Sequence, residues 1–331
     1  AFSITSSTLS DGVYSLIATA TDAAGNISTY SIVNNTSSLI IDTTAPSAPS
    51  SLTTISTTTN DTTPTITGSA EVGSTVKLYN GSTLLGSGTA DHNGAFSITS
   101  STLSEGTYSL TATATDSLGH VSSFSSELSI TIDTTRPSAP RLPLSTTTND
   151  TTPTITGSAE AGSTVNLYDG TTLLGSAKTN ENGVFSITSS ILSSGSYSLT
   201  AIAIDTAGNT SSASSPLAIT IDTTAPIAPL SLSTSSTTTN DNTPTITGSA
   251  EAGSTVKLYN GSILLGSGTA DSNGAFSITS SILSDGSYSL TATATDSAGN
   301  TSTSSSALAI IVDSTEPSAP SFPLTPIEYF F

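Results

Sequence analysis

An all-β chain made of repeated small sandwich domains is what this sequence predicts, on three observations. The motif D-T-T-x-P-x-A-P begins at Asp42, Asp133 and Asp222, with a worn copy, D-S-T-E-P-S-A-P, at Asp313, in steps of 91, 89 and 91 residues. Short runs between the copies alternate apolar residues with Ser and Thr, the period of a strand with one buried face. Gly, Asn-Gly and Pro punctuate those runs every 8–12 residues or so, and no helical periodicity competes.

Other landmarks keep the same step. Phe2, Phe96, Phe185 and Phe276 each open F-S-I-T-S-S, and Asn60-Asp61, Asn149-Asp150 and Asn240-Asp241 each precede T-P-T-I-T-G. Solenoid units repeat at roughly 20–50 residues, so a step this long is a whole small domain. The predicted organisation is a partial module over 1–41 holding the last three strands, complete modules over 42–132, 133–221 and 222–312, and a linker with truncated tail over 313–331.

The copy from Asp42 justifies its elements in order. Pro46 and Pro49 fix φ and bias their predecessors toward extended backbone, so the linker is a semi-rigid spacer. A leading strand follows Pro49, and Ile66 anchors another after Pro64. Val76 and Leu78 point inward with Lys77 and Tyr79 outward, and Asn80-Gly81 predicts a type I′ hairpin into Thr83–Gly86. Phe96-Ser-Ile98-Thr, the run from Tyr108 to Asp116, and Leu128-Ser-Ile130-Thr-Ile132 complete about seven strands. Seven short alternating strands in about 90 residues read as an immunoglobulin-like β-sandwich, and sandwiches on Pro-bearing connectors as an extended rod. Tyr108, matched by Tyr14, Tyr197 and Tyr288, sits behind a Gly turn. It is either a tyrosine corner, its hydroxyl bonding backbone upstream, or a plain core residue, and structural in both cases.

The departures fall where a sandwich tolerates them. The first copy carries three extra residues near Ile32–Asn35, in an expected surface hairpin. The last linker leads to Pro320-Ser-Phe322-Pro323 and the apolar end Tyr329-Phe330-Phe331, with no further T-N-D-x-T-P. With residue 1 falling mid-module, the chain reads as a fragment of a longer polypeptide.

Composition narrows function. The formal charge is −19, from 24 acidic and five basic residues. No basic stripe exists to neutralise phosphates or to adsorb to an anionic membrane, so nucleic acid is excluded as a partner, and no apolar run approaches the length of a membrane span. There is no Cys. In an oxidising compartment, small domains without disulfides need another staple, and a metal is the usual one.

The run T-N-D-T-T-P-T-I-T-G-S-A-E-x-G-S-T-V-x-L-Y-N-G, then A-F-S-I-T-S-S, Y-S-L-T-A-T-A-T-D-x-x-G-N and I-D-T-T-x-P-x-A-P, resembles the bacterial Ig-like repeats of giant surface adhesins. Those repeats are the extender modules of type I-secreted and biofilm-associated proteins. The likeness spans essentially residues 1–320 in order and spacing. It implies a secreted or surface-attached protein whose repeats project a distal adhesive domain, with calcium stiffening the joints. Contacts with host, surface or biofilm-matrix ligands would then be made by parts of the protein outside this chain.

The acids recur in columns: the linker Asp, the Asn-Asp position, the S-A-E position and the strand-end Asp. In such a sandwich the loops after the second and sixth strands lie at the end where the chain enters. Three carboxylates therefore converge on each joint: Asp42, Glu71 and Asp116; Asp133, Glu160 and Asp205; Asp222, Glu251 and Asp296. Unpaired they repel, with few cations to answer them, and calcium, which takes six to eight oxygens or so, fits the set. Asp61, Asp150 and Asp241 either join a calcium site or shape the turn before the following Pro. The same acids could equally be solvated turn formers. The loop at Asp91-His92-Asn93-Gly94 reads as a turn.

Catalysis lacks an inventory. The histidines are His92 and His120, and neither recurs in register, so no repeated general base exists. The rival reading is a carbohydrate- or protein-binding module, with Tyr79, Tyr168 and Tyr259 stacking on a ligand; an outward strand Tyr more often packs across strands.

Overall fold

The computed structural model describes residues 2–32 and 38–321, so the insertion near Asn35 and the apolar tail lie outside the described residues. Two compact units divide the chain: Ala1–Pro137 with Ile204–Thr210, and Ser138–Ala203 with Ser211–Phe331. Every described regular element is a strand.

The first unit begins with β1 (Gly12–Tyr14), β2 (Ile17–Ala18), β3 (Ser31–Ile32) and β4 (Leu39–Ile41), paired antiparallel as β1 with β4 and β2 with β3. Phe2 and Ile4 are exposed here, whereas Phe96 and Ile98 of the next copy are buried. The difference is a missing neighbour. Phe96 and Ile98 pair with the T-I-T-G strand at Gly68 and Ile66, and residues 1–41 contain no such strand.

The complete sandwich of this unit comprises β5 (Ser50–Thr53), β6 (Thr58–Thr59), β7 (Thr65–Ser69), β8 (Thr75–Asn80), β9 (Thr83–Thr89), β10 (Ala95–Thr99), β11 (Gly106–Thr115) and β12 (Leu128–Ile132). One sheet runs β10-β7-β5 and the other β6-β12-β11-β8-β9. The segment after Pro49 divides between the sheets. β5 joins β7 antiparallel, and β6 lies parallel to β12, so the leading strand of the expected seven appears as two pieces. Ile66, Val76, Leu78, Phe96, Ile98, Leu110, Ala112, Ile130 and Ile132 form the core, the inward positions of the period-two runs.

The second unit repeats this plan twice. Its first sandwich has β13 (Thr146–Thr148), β14 (Thr154–Ser158), β15 (Thr164–Asp169), β16 (Thr172–Lys178), β17 (Val184–Thr188), β18 (Gly195–Ile204) and β19 (Leu217–Ile221). Its second has β20 (Leu230–Ser233), β21 (Thr238–Thr239), β22 (Thr245–Ser249), β23 (Thr255–Asn260), β24 (Ile263–Thr269), β25 (Ala275–Thr279), β26 (Gly286–Thr295) and β27 (Leu308–Val312). Each has its own core, around Phe185 and around Phe276.

One of the two residues by which the 89-residue step falls short of 91 has a structural counterpart. Ser51 and Ser231 adopt left-handed φ values of 56° and 55° inside a β-bulge that sets Leu52 and Leu232 against their cores. The copy from Asp133 has one residue fewer between Pro140 and Leu142. It has no left-handed Ser there, and Arg141 makes a single bridge to Ser158.

The hairpin at Asn80-Gly81 differs from the type I′ turn its sequence predicts. Asn80 pairs with Thr83, leaving Gly81-Ser82 as the loop, and Gly81 alone has a positive φ, 56°. A left-handed residue at the first central position only is the type II′ pattern. A bulge between Leu78 and Tyr79 shifts the register by one residue, so that Asn80 meets Thr83 and the loop has two residues.

The Ser-rich stretch after β11 is also explained. Ser122 and Ser125 donate their N–H to the carbonyls of Ala114 and Ala112, and their hydroxyls accept the N–H of those alanines at 2.9 and 3.0 Å. Residues three apart thus meet residues two apart, the serine side chains supplying the missing acceptors. Ser211, Ser214, Ser302 and Ser305 do the same.

Candidate functional site

The strand-end Asp closes the D-x-x-G-N loop on itself. In the second unit, Asp296 Oδ1 accepts the N–H of Ala298, Gly299 and Asn300 at 2.8, 2.8 and 2.9 Å, and Oδ2 accepts Asn300 Nδ2 at 2.8 Å. Burial pushes this carboxyl up, but the bonds from the Asn300 amide and the loop N–H groups outweigh it and hold it below the usual range.

Asn300 does more. Its Nδ2 also donates at 2.7 Å to the main-chain carbonyl of Asp222 in the linker. From the other side, the N–H of Asn149 donates to Ala298 O at 3.0 Å, and its side chain rests against Gly299, whose φ of 99° brings the loop close. The first unit holds the same set. Asn209 Nδ2 donates to Asp205 Oδ2 at 2.9 Å and to Asp133 O at 2.8 Å, the N–H of Asn60 donates to Ala207 O, and the Asn60 side chain lies beside Gly208. So T-N-D and D-x-x-G-N, unremarkable as separate motifs, meet at one joint. The asparagines of these two motifs are the functional residues the acid columns conceal.

At Asp42 the arrangement varies. Asp116 Oδ1 accepts the N–H of Leu118 and His120, and Asp116 Oδ2 lies 2.7 Å from His120 Nδ1, so His120 stands where Asn209 and Asn300 stand. Burial raises the Asp116 carboxyl, and the His120 side-chain and loop hydrogen bonds bring it below its ordinary value. Asp42 is held low chiefly by the hydroxyl and N–H of Thr44; the charge of Asp116 pushes it up and His120 pulls it down.

The remaining acids serve turns. Glu71, Glu160 and Glu251 are exposed, and their main-chain carbonyls accept the hydroxyls of Ser74, Ser163 and Ser254. Asp61, Asp150 and Asp241 each accept the N–H of the residue before the proline, Thr63, Thr152 and Thr243, at 2.8 Å, the turn-shaping alternative. Asp133 and Asp222 accept the N–H of Thr135 and Thr224. Within either unit, among the described residues, no three of His, Cys, Asp or Glu form a group that could hold a metal ion. In the three expected sets, the strand-end Asp accepts N–H groups of its own loop and the Glu main-chain carbonyl accepts a serine hydroxyl.

Tyr79 is half-buried and meets Phe124 edge-on, ring centroids 5.8 Å apart at 81°. Phe124 lies in the stretch between β11 and β12, so the ring of Tyr79 packs against a loop residue. Among the described residues no helix is long and apolar enough to cross a membrane.

The family described as bacterial Ig-like domain matches residues 36–134, 145–223 and 231–314. The chain belongs to that family, as three tandem copies. Among solved structures, fibronectin(III)-like modules of Clostridium thermocellum CbhA align at 20% identity over 52% of this chain and 93% of theirs, TM-score 0.34. A biofilm-associated protein BSP domain aligns at 17% identity over 82% and 67%, TM-score 0.23. Bacteroides ovatus SGBP-B, in complex with a mixed-linkage heptasaccharide, aligns at 16% over 82% and 68%, TM-score 0.21. No curated protein matches the chain.

Proposed function

We propose that these repeats are structural extenders of a bacterial cell-surface adhesin, outside the cell, holding a distal adhesive domain away from the surface for attachment or biofilm formation. Family membership supports the class, and three tandem copies with separate cores suit a spacer. The observation that carries the extender reading is the Asn300 amide, which bonds Asp222 of the linker and Asp296 of the following loop together. A joint held in that way transmits orientation where a free tether would not. Neither histidine recurs in register, which leaves no repeated His as general base and favours a mechanical role.

Small-angle scattering on the whole chain tests it. An extender gives a maximum dimension that grows by a constant increment for each repeat; a collapsed or freely jointed profile overturns the reading. Calcium followed by chelator, in the same experiment, decides how the acids are answered. An unchanged profile and melting temperature leave the joints to hydrogen bonds. Stiffening by calcium would restore a metal role for Asp42, Asp133 and Asp222. The binding-module reading is decided by a glycan array, on which a spacer is silent.

A further inference from the structure

The turn Leu-Ser-x-Gly precedes each Tyr-bearing strand, and its third residue varies: Asp11, Glu105, Ser194 and Asp285. On sequence it is an ordinary surface turn. In the structure it grips the linker about 30 residues later. Asp11 Oδ1 accepts the N–H and hydroxyl of Thr43 at 3.1 and 2.8 Å. Glu105 accepts the hydroxyls of both Thr134 and Thr135, at 2.9 Å each. Asp285 accepts the N–H and hydroxyl of Ser314 and the hydroxyl of Thr315, at 2.9, 2.6 and 2.7 Å. Ser194 makes a weaker version. Its hydroxyl lies 2.6 Å from Thr223 Oγ1 and accepts the Thr223 N–H at 3.3 Å, with no charge.

The turn itself is anchored. Leu103 is buried in the core, and the Tyr108 hydroxyl donates to Ser104 O at 2.9 Å, next to Glu105. Leu192 with Tyr197, and Leu283 with Tyr288, anchor the turns of Ser194 and Asp285 in the same way. A side chain on so fixed a base holds what it bonds. The residues just after each linker Asp are therefore held from the preceding repeat, while the Asp carbonyl is held by Asn209 or Asn300 of the following one.

We infer that the residue before the glycine of each Leu-Ser-x-Gly turn is the positioning residue of the linker that follows, and that Ser194 leaves the 222–224 linker more loosely held than the 133–135 linker. The Glu105 carboxylate accepts from two linker residues with charge-assisted bonds, about twice as strong as neutral ones; the Ser194 hydroxyl engages one. The inference goes beyond the extender reading and stands whether or not the repeats carry an adhesive domain.

Residue-resolved amide hydrogen exchange on the full chain tests it, comparing wild type with Glu105→Ala and Ser194→Asp. The Thr134 amide should exchange about tenfold faster in Glu105→Ala, and the Thr223 amide about tenfold slower in Ser194→Asp. The core amides of Leu110 and Ile219 should stay as in wild type, which separates linker release from loss of the fold. Changes below about twofold at both Thr134 and Thr223 overturn the inference. If Glu105→Ala also frees the core amides, the Ser194→Asp arm decides alone, since it adds a contact and removes none.

Discussion

Asn300 Nδ2 donates to the main-chain carbonyl of Asp222 at 2.7 Å, across 78 residues of sequence, and to Asp296 Oδ2 at 2.8 Å. One amide group thus ties a linker to a loop that the next repeat folds much later. Replacing Asn300 with Ala orphans a carbonyl and a carboxylate oxygen. We expect a loss of about 1–3 kcal/mol from the repeat holding Asn300, seen as a lowered melting transition by calorimetry. An unchanged transition would mean solvent replaces the amide at no cost.

The tyrosine corners should be worth less but be uniform. Tyr108, Tyr197 and Tyr288 donate to Ser104 O, Ser193 O and Ser284 O at 2.9, 2.9 and 2.8 Å. Each Tyr→Phe substitution keeps the ring and removes one bond, so about 1 kcal/mol should be lost in each repeat. Urea denaturation reads this directly, and widely different losses would show that the three corners are not equivalent.

The glycine of T-P-T-I-T-G is required by a close approach. A Cβ at Gly248 would lie 2.6 Å from Phe276 Cζ and 2.9 Å from the Leu230 carbonyl oxygen. The latter is backbone and cannot swing away. Gly248→Ala should cost about 1–3 kcal/mol through displaced packing, and it should lower the transition of its own repeat, leaving the repeat around Phe96 unchanged.

Acid should weaken the joints. The carboxyls of Asp42, Asp116, Asp285 and Asp296 are all held below their ordinary values in the folded chain. Their stabilisation is fully present above the unfolded value of about 4 and is lost as pH falls through the lower folded values. The net charge of −19 works the other way, since protonation relieves repulsion. We expect the local bonds to dominate, so that the melting temperature holds from neutral pH to about 5 and falls below about 4. A rise on acidification would show that general repulsion outweighs them.

The sequence by itself determined the repeat, the strand positions, the sandwich and the residues of each core, because a two-residue period and a fixed step are local properties. It also placed the corner tyrosines, whose partners lie four residues upstream. The acid columns are equally legible in the sequence. Which hydrogen bonds the strand-end Asp residues accept is a matter of tertiary structure. An Asp beside a loop can face a metal or bond its own backbone, and composition does not distinguish the two. Asn209, Asn300 and Glu105 matter through partners 76, 78 and about 30 residues away, and no periodicity encodes a hydrogen-bond direction over that distance. The Gly81-Ser82 turn is a related case: its position follows from the pairing of Asn80 with Thr83, and register is a property of two strands together.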